Sequence, residues 1–265
     1  MIAALAYGAS TLHEPRYADA ATRAADFIWT TLRRDGMLLR RYRDGEARFS
    51  GTLEDYAFFS HGLLELYEAT GDARWLAQAK TLATEMIDQF WDEPQGGFFF
   101  RAKGEAPLIV RSKEIYDGAT PSGTSMAVSV LLRLGRLTAD ERMASYARRT
   151  LERVAAWLTR APFSYPQMLS AVDVALGPTR EIVIAGDPSA ADTAQLLRLV
   201  HDRFLPRAVV VRHPPGQAGA AIEALAPFVK TQGMLHGQAT AYVCENFACR
   251  LPTSDPVKLA ELLQP

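Results

Sequence analysis

Trp75-Leu76-Ala77-Gln78-Ala79-Lys80-Thr81-Leu82-Ala83-Thr84-Glu85-Met86-Ile87-Asp88-Gln89-Phe90-Trp91 reads as a helix with one wet face. Trp75, Ala79, Leu82, Ala83, Met86, Ile87 and Phe90 recur at helical spacing, while Lys80, Glu85, Asp88 and Gln89 take the other side. The same helix is written three times. A shift of 58 residues superimposes Tyr17, Ala21, Ala24, Ala25, Ile28, Trp29 and Leu32 on this set, and a shift of 68 carries it to Met143, Ala147, Thr150, Leu151, Val154, Ala155 and Leu158. Before the second and third copies lie stretches that are apolar nearly all round, about Leu53 to Ala69 and Ser122 to Leu137. Helices of that kind are covered on most sides, so the unit is an inner helix, a polar turn and an outer helix.

The connections choose between two architectures for such a repeat. A solenoid keeps a constant period and short links. Here the outer-to-inner links are long and carry strand-like pieces: Met37 to Tyr42 beside a DG turn, then Gly96 to Phe100 with Leu108 to Arg111 as a second hairpin. Long structured loops at one end suit a toroid that builds a site there. The expected fold is therefore mainly α: a partial (α/α)6 toroid of about seven helices over residues 1–177, followed by a small α/β module over 178–265. Aligning the first unit on the second places Met1 inside an inner helix, so the chain is expected to be a fragment. Unpartnered apolar flanks then predict self-association or docking on the absent N-terminal half.

Bulk composition excludes several classes. Twenty-nine basic and thirty acidic residues in 265 leave a formal charge of -1, which favours neither nucleic acid nor an anionic membrane surface. No apolar run approaches the roughly 20 residues of a membrane span. Met1 to Leu12 lacks the basic start and cleavage site of a secretion signal, and two cysteines make no disulfide framework, so a cytoplasmic setting is expected. No cofactor or metal motif stands out, and neither group is expected.

After Gly177-Pro178 the pattern changes to strands at Glu181 to Ala185 and Ala208 to Arg212, with helices at Ala190 to Phe204, Ala218 to Val229 and Asp255 to Leu263. The turn Gly186-Asp187-Pro188-Ser189 could receive a phosphate at a helix start, but an Asp187 or Ser189 cap explains it without a ligand. Thr240 to Cys249 is a strand or hairpin. Cys244 and Cys249 face each other if Glu245-Asn246-Phe247-Ala248 forms the loop, and do not if the turn is Glu245-Asn246 alone. Inert thiols, a redox pair and a zinc site with His236 are the three readings, in that order.

Three separated motifs carry a family resemblance. Leu53-Glu54-Asp55-Tyr56-Ala57-Phe58-Phe59, the run Lys113-Glu114-Ile115-Tyr116-Asp117-Gly118-Ala119-Thr120-Pro121-Ser122-Gly123-Thr124-Ser125, and Tyr242-Val243-Cys244-Glu245-Asn246-Phe247-Ala248-Cys249 occur in order. Together they resemble the carboxy-terminal half of the thioredoxin-domain-containing proteins related to the mammalian spermatogenesis-associated, spermatid-specific thioredoxin-like protein. The resemblance implies a thioredoxin-like domain ahead of an (α/α)6 toroid similar to six-hairpin glycosidases and N-acylglucosamine 2-epimerases. That domain and its redox motif are absent from this chain, so its activity is not carried over.

Toroid loops and inner-helix starts line the mouth of a central cavity, which nominates the site. Glu54, Asp55 and Asp117 are the candidate general acids and bases. Arg41, Tyr42, Tyr56, Arg111, Lys113, Tyr116 and Ser122 are the candidate substrate contacts, since rings stack on sugar C–H faces and cations orient hydroxyls. Each has a structural alternative: acids favour a helix first turn, and Ser122 can cap. His61, on an apolar inner helix, reads better as a satisfied core histidine than as a base. The expected function is binding or processing of a small carbohydrate, with Cys244 and Cys249 as a redox candidate. The alternative is a non-catalytic scaffold for the missing half.

Overall fold

One short turn, repeated three times, sets the helical part. Gly71 ends an inner helix with a left-handed backbone (φ 74°), and the two repeat shifts carry this position to His13 (φ 54°) and Ala139 (φ 52°), which are left-handed too. Only glycine adopts that conformation freely; His13 and Ala139 hold it at a cost of about 1 kcal/mol each. A side chain at Gly71 would also strike Arg212, whose Cδ lies 2.5 Å from the Cβ position. The next residue starts the outer helix. Asp72 accepts from the Arg74 N–H (3.0 Å) and Asp140 from the Arg142 N–H (3.2 Å), so the repeat includes its caps.

The computed structural model describes residues 1–105 and 109–264. Its inner helices are α1 (Ile2–Thr11), α3 (Leu53–Thr70), α5 (Gly123–Thr138) and α7 (Pro166–Leu176); its outer helices are α2 (Pro15–Thr31), α4 (Ala73–Phe90) and α6 (Glu141–Arg160). Seven helices thus precede residue 177 among the described residues. The inner helices pack side by side in the order α1, α3, α5, α7, and α2, α4 and α6 back the first three. The wet-faced pattern is obeyed: Trp75, Ala79, Leu82, Ala83, Met86 and Phe90 of α4 are essentially inaccessible. Burying such a large side chain contributes about 1.5–3 kcal/mol.

The first long link forms a three-stranded antiparallel sheet of β1 (Arg33–Arg34), β2 (Met37–Arg43) and β3 (Glu46–Ser50). Its DG turn, Asp44-Gly45, has positive φ at both residues, the geometry of a tight hairpin. The second link differs from expectation. Gly96 to Phe100 makes no ladder with 109–111, and Leu108 lies outside the described residues. Phe98 instead bridges Trp91, the Phe99 N–H donates to Phe90 and the Phe100 N–H donates to Ser112. Burial of Phe98 against the Trp91 ring (5.0 Å between centroids) has replaced strand pairing.

The second sheet has the order β5-β4-β6-β7, built from β4 (Arg180–Ala185), β5 (Ala208–His213), β6 (Thr240–Glu245) and β7 (Ala248–Cys249). β4 and β5 are parallel across α8 (Ala191–His201), and the other pairings are antiparallel. α9 (Gly216–Leu225) stops two residues before Pro227, which opens a 3-10 turn, so the helix is shorter than the one expected there. Ile182, Ile184, Val210 and Val243 pack under α8 and α10 (Pro256–Leu262). Val183, Ala185, Val211 and Tyr242, on the opposite face, join the same apolar core as the inner helices. The change of pattern at residue 178 is therefore not a break in the core.

Candidate functional site

The start of α3 is organised by Asp55, not around it. Its Oδ2 accepts from the Thr52 N–H (2.7 Å) and the Thr52 hydroxyl (2.9 Å), closing a capping box. Asp117 is more fully engaged. Its Oδ1 accepts from the Ser122 N–H (2.8 Å), and its Oδ2 accepts from the N–H groups of Gln167 (3.0 Å) and Met168 (3.1 Å). Those last two are first-turn donors of α7, so a loop carboxylate caps a helix 50 residues away. Asp117 is buried, and its oxygens are occupied by three backbone donors. Neither aspartate is placed to move a proton to a ligand.

Glu54 is the exception among the three. It has no hydrogen-bond partner among the described residues, and its carboxyl is raised above the ordinary value by partial burial first and by Glu114 second, with Arg40 opposing. Its neighbour across the helices is Gly123, where a Cβ would lie 2.9 Å from Glu54 Cγ; glycine lets α5 start against α3.

The expected substrate contacts do not converge. Tyr56 is buried, accepting from the Leu38 N–H (2.8 Å) and from Gln89 Nε2 (3.1 Å). Ser122 caps α5 through the Ser125 N–H (3.1 Å). Lys113 pairs with Asp92 (2.6 Å), and Arg111 lies on Phe99 while donating to the Arg101 carbonyl (2.6 Å). Arg41 covers Phe49, Tyr42 meets Phe27 edge-on, and Tyr116 is exposed. They fasten loops, and none of them lines the large cavity.

That cavity, of about 1040 Å³, runs along the inner face of the helices and is closed on one side by β5, α8 and residues 203–208. Its charged wall comes from α3 and α5. Arg133 donates from Nη1 to Glu65 Oε1 and from Nη2 to Glu68 Oε1 (2.8 Å), while His61 Nδ1 lies 3.5 Å from Arg133 Nη1. Gln167 Nε2 donates to Ser129 Oγ (3.0 Å) on the same surface. Tyr7, Phe58 and Leu169 add apolar area, and Arg207 holds Asp173 with two 2.8 Å bonds at the rim.

The environment drives the two glutamates apart. Burial raises both, but at Glu65 Arg133 and His61 together outweigh it and the carboxyl falls below its ordinary value. At Glu68 burial prevails over Arg133, and the carboxyl rises. Burial, then Arg133, lowers His61 to about 4, so its imidazole is neutral near pH 7. The wall thus combines an ionised carboxylate, a carboxyl biased towards its acid, a neutral imidazole and a fixed guanidinium. His61 is a cavity residue and not a wholly enclosed core one, since its side chain is 30% exposed. The signal for this wall was present: His61, Glu65 and Glu68 stand at i, i+4 and i+7 on an apolar helix.

In the tail, Asp187 accepts from the Ser189 N–H (2.8 Å) and hydroxyl (2.7 Å), and Asp192 occupies the Thr193 and Ala239 N–H groups. Two carboxylates thus stand where a phosphate would sit. The cysteines correct the leading expectation of inert thiols. β6 and β7 place Cys244 opposite Cys249, and the two are joined as a disulfide. Among the described residues no group of three or more His, Cys, Asp or Glu could hold a metal ion, and no helix is long and apolar enough to cross a membrane.

No protein-family profile matches the chain. It is similar to spermatogenesis-associated protein 20 of Homo sapiens, 38% identical over 216 residues that make 81% of this chain and 27% of that protein. The protein of the same name from Mus musculus is 36% identical over 80% of this chain and 27% of its own length. An uncharacterised protein of Caenorhabditis elegans is 28% identical over 94% of this chain and 34% of its own. The chain therefore spans about a quarter of the length of the mammalian relatives, and the kinship read from the three motifs holds at that level. The names state no reaction.

Proposed function

We propose that the inner-helix cavity binds a small polyhydroxylated ligand of carbohydrate type, and that Glu65, Glu68 and His61, rather than Glu54, Asp55 and Asp117, are its acid–base groups. The observation that carries this is the Glu65–Arg133–Glu68 bridge beside His61, facing a cavity large enough for one or two sugar rings. Tyr7 and Phe58 supply aromatic faces for sugar C–H groups, and Ser129 and Gln167 supply neutral hydrogen bonds. Carboxyls with opposed shifts are the pairing that acid–base chemistry at a glycosidic or anomeric centre uses.

The row of inner and outer helices, continued in a longer protein, would complete an (α/α)6 toroid around this cavity. A thioredoxin-like domain, implied by the resemblance of the three motifs, and a cytoplasmic setting, expected from the missing secretion signal and the low cysteine count, belong to the same proposal. Isothermal titration with neutral mono- and disaccharides tests it. Saturable binding, weakened roughly tenfold by His61→Asn with its lost hydrogen bond, supports the reading. Absence of binding to folded protein across the panel overturns it.

A second reading has its own support: Tyr7 and Phe204 are exposed apolar side chains that line the cavity, and Leu12 and Leu176, at the ends of α1 and α7, are exposed as well. They favour a non-catalytic scaffold that docks on the rest of a longer protein or on a second copy. A concentration-dependent sedimentation coefficient, with no saccharide binding, separates this from the first reading.

A further inference from the structure

We propose that the Cys244–Cys249 hairpin is a reversible thiol–disulfide site, reduced by a dithiol, whose state is transmitted through Phe247 to the cavity wall at Arg136. This stands independently of what the cavity binds. The register of β6 and β7 pairs Cys244 with Cys249 and Glu245 with Ala248, leaving Asn246-Phe247 as a two-residue loop. Both loop residues have positive φ, 50° and 63°. That turn prefers glycine at its second position, and a phenylalanine is strained there. The conformation persists because its surroundings over-determine it.

Those surroundings lead to the cavity. The Phe247 N–H donates to Glu181 Oε2 (2.8 Å), and Arg136 Nη1 lies 3.4 Å from Glu181 Oε1. The Phe247 ring meets Phe228 edge-on (5.3 Å) and sits under the Arg136 guanidinium (5.8 Å). The Asn246 N–H donates to the Thr179 carbonyl (3.3 Å). Glu181 is wholly buried, and Arg136 and Thr179 both line the cavity. β7 is only two residues long, so the disulfide is the main closure of this loop.

A second feature points to a reduced state. Gln232 is 93% buried; its Nε2 lies 3.3 Å from Cys249 Sγ and 3.8 Å from Cys244 Sγ, yet its Oε1 has no partner among the described residues. Its backbone carbonyl is fixed by His213 Nδ1 (2.8 Å). With the disulfide closed, the amide offers two sulfurs a weak donor and leaves an acceptor orphaned. Opening the bond creates S–H donors at that place, and a half-turn of the amide satisfies Oε1.

The step balances. Cys249 is exposed and Cys244 buried, so an external thiolate attacks Cys249 Sγ, the S–S bond breaks, and Cys244 leaves as a thiolate beside the Gln232 amide. The second thiol of the reductant attacks the mixed disulfide and releases Cys249. Two protons pass to the two cysteines, the protein gains two electrons, and the reductant departs as its own disulfide.

The test treats native protein with millimolar dithiothreitol, followed by alkylation mass spectrometry, circular dichroism and amide exchange. The expected result is labelling of both cysteines with the fold retained, and exchange at residues 245–249 and 179–181 faster by roughly tenfold, reversed by oxidised glutathione. Reduction that occurs only with global unfolding makes the bond a structural staple and overturns the proposal, as does reduction with unchanged exchange at 179–181. Gln232→Leu, which removes the amide, is expected to shift the dithiol equilibrium several-fold towards the disulfide; an unchanged equilibrium overturns the amide's part.

Discussion

Helix α3 carries acidic residues in two places, and they live under different rules. At its first turn Asp55 closes a capping box, and Asp117 caps α7 from a distance; both are answered by backbone N–H groups at helix starts. Fourteen residues on from Glu54, Glu68 stands with Glu65 on an inward face, away from the free N–H groups of the helix start. Arg133, a side chain from another helix, answers both, and the Val210 backbone adds a hydrogen bond to Glu68. An acid at a helix start needs no further explanation. A pair of acids towards the C-terminal end of an apolar helix does.

The largest expected effect breaks the second cluster. Arg133→Met leaves Glu65 and Glu68 without their counter-charge, and loss of one partner from such an enclosed bridge costs about 3–5 kcal/mol. Urea denaturation measures it. The triple replacement Glu65→Leu, Glu68→Leu and Arg133→Met is expected to recover most of that loss, because the desolvation of all three charges disappears together. If the single variant alone is harmless, the bridge is not what holds α3 to α5.

Asp117→Ala comes next. It orphans three backbone donors, two of them at the start of α7, for an expected loss of about 2 kcal/mol. Its melt should be accompanied by faster amide exchange in α7 and not in α4. A stable variant with a specific loss of saccharide binding would return Asp117 to the role that the sequence suggested.

A pH series sharpens the electrostatics. His61 and His201 are both lowered from 6.5 to about 4 by burial first, then by Arg133 at His61 and by Arg212 and His13 at His201. Glu65 and the Met1 amine also face His61, and Asp202 faces His201. Their folded values are depressed, so the unfolded chain takes up protons first. The stability they contribute is complete above pH 6.5 and is lost as pH falls towards 4. Glu68 is raised and acts in the opposite sense, losing stability as pH rises through its window. The double variant His61→Gln, His201→Gln should therefore show a flatter stability profile on the acid side; an unchanged slope contradicts the assignment. The smallest effect is expected of Glu54→Gln, within about 0.5 kcal/mol, since this residue makes no hydrogen bond to lose.

These contrasts show what was legible in the chain. Helix positions were, because Trp75, Leu82 and Met86 recur with a period that only a helix satisfies, and a polar turn separates each inner helix from its outer one. The DG hairpin was legible from Asp44-Gly45. The link between α4 and α5 was not, since Gly96-Gly97 with three phenylalanines fits a hairpin locally and burial of Phe98 on Trp91 is a long-range choice. The proposed cavity wall was not legible for a related reason. Motif and helix-start signals drew attention to Glu54, Asp55 and Asp117, whereas the wall depends on the pairing of α3 with α5, and nothing local says that Arg133 reaches Glu65. The disulfide hung on one residue of hairpin register, which spacing alone leaves open.

The most direct measurement is a saccharide titration followed through the histidine ring signals in NMR, with Tyr42 and Tyr116 signals recorded alongside. The expected result is a saturable shift of the His61 imidazole with both tyrosines unmoved, placing the ligand on the inner wall. Shifts confined to the tyrosines, or saturating binding that leaves His61 unchanged, would contradict the cavity as the site.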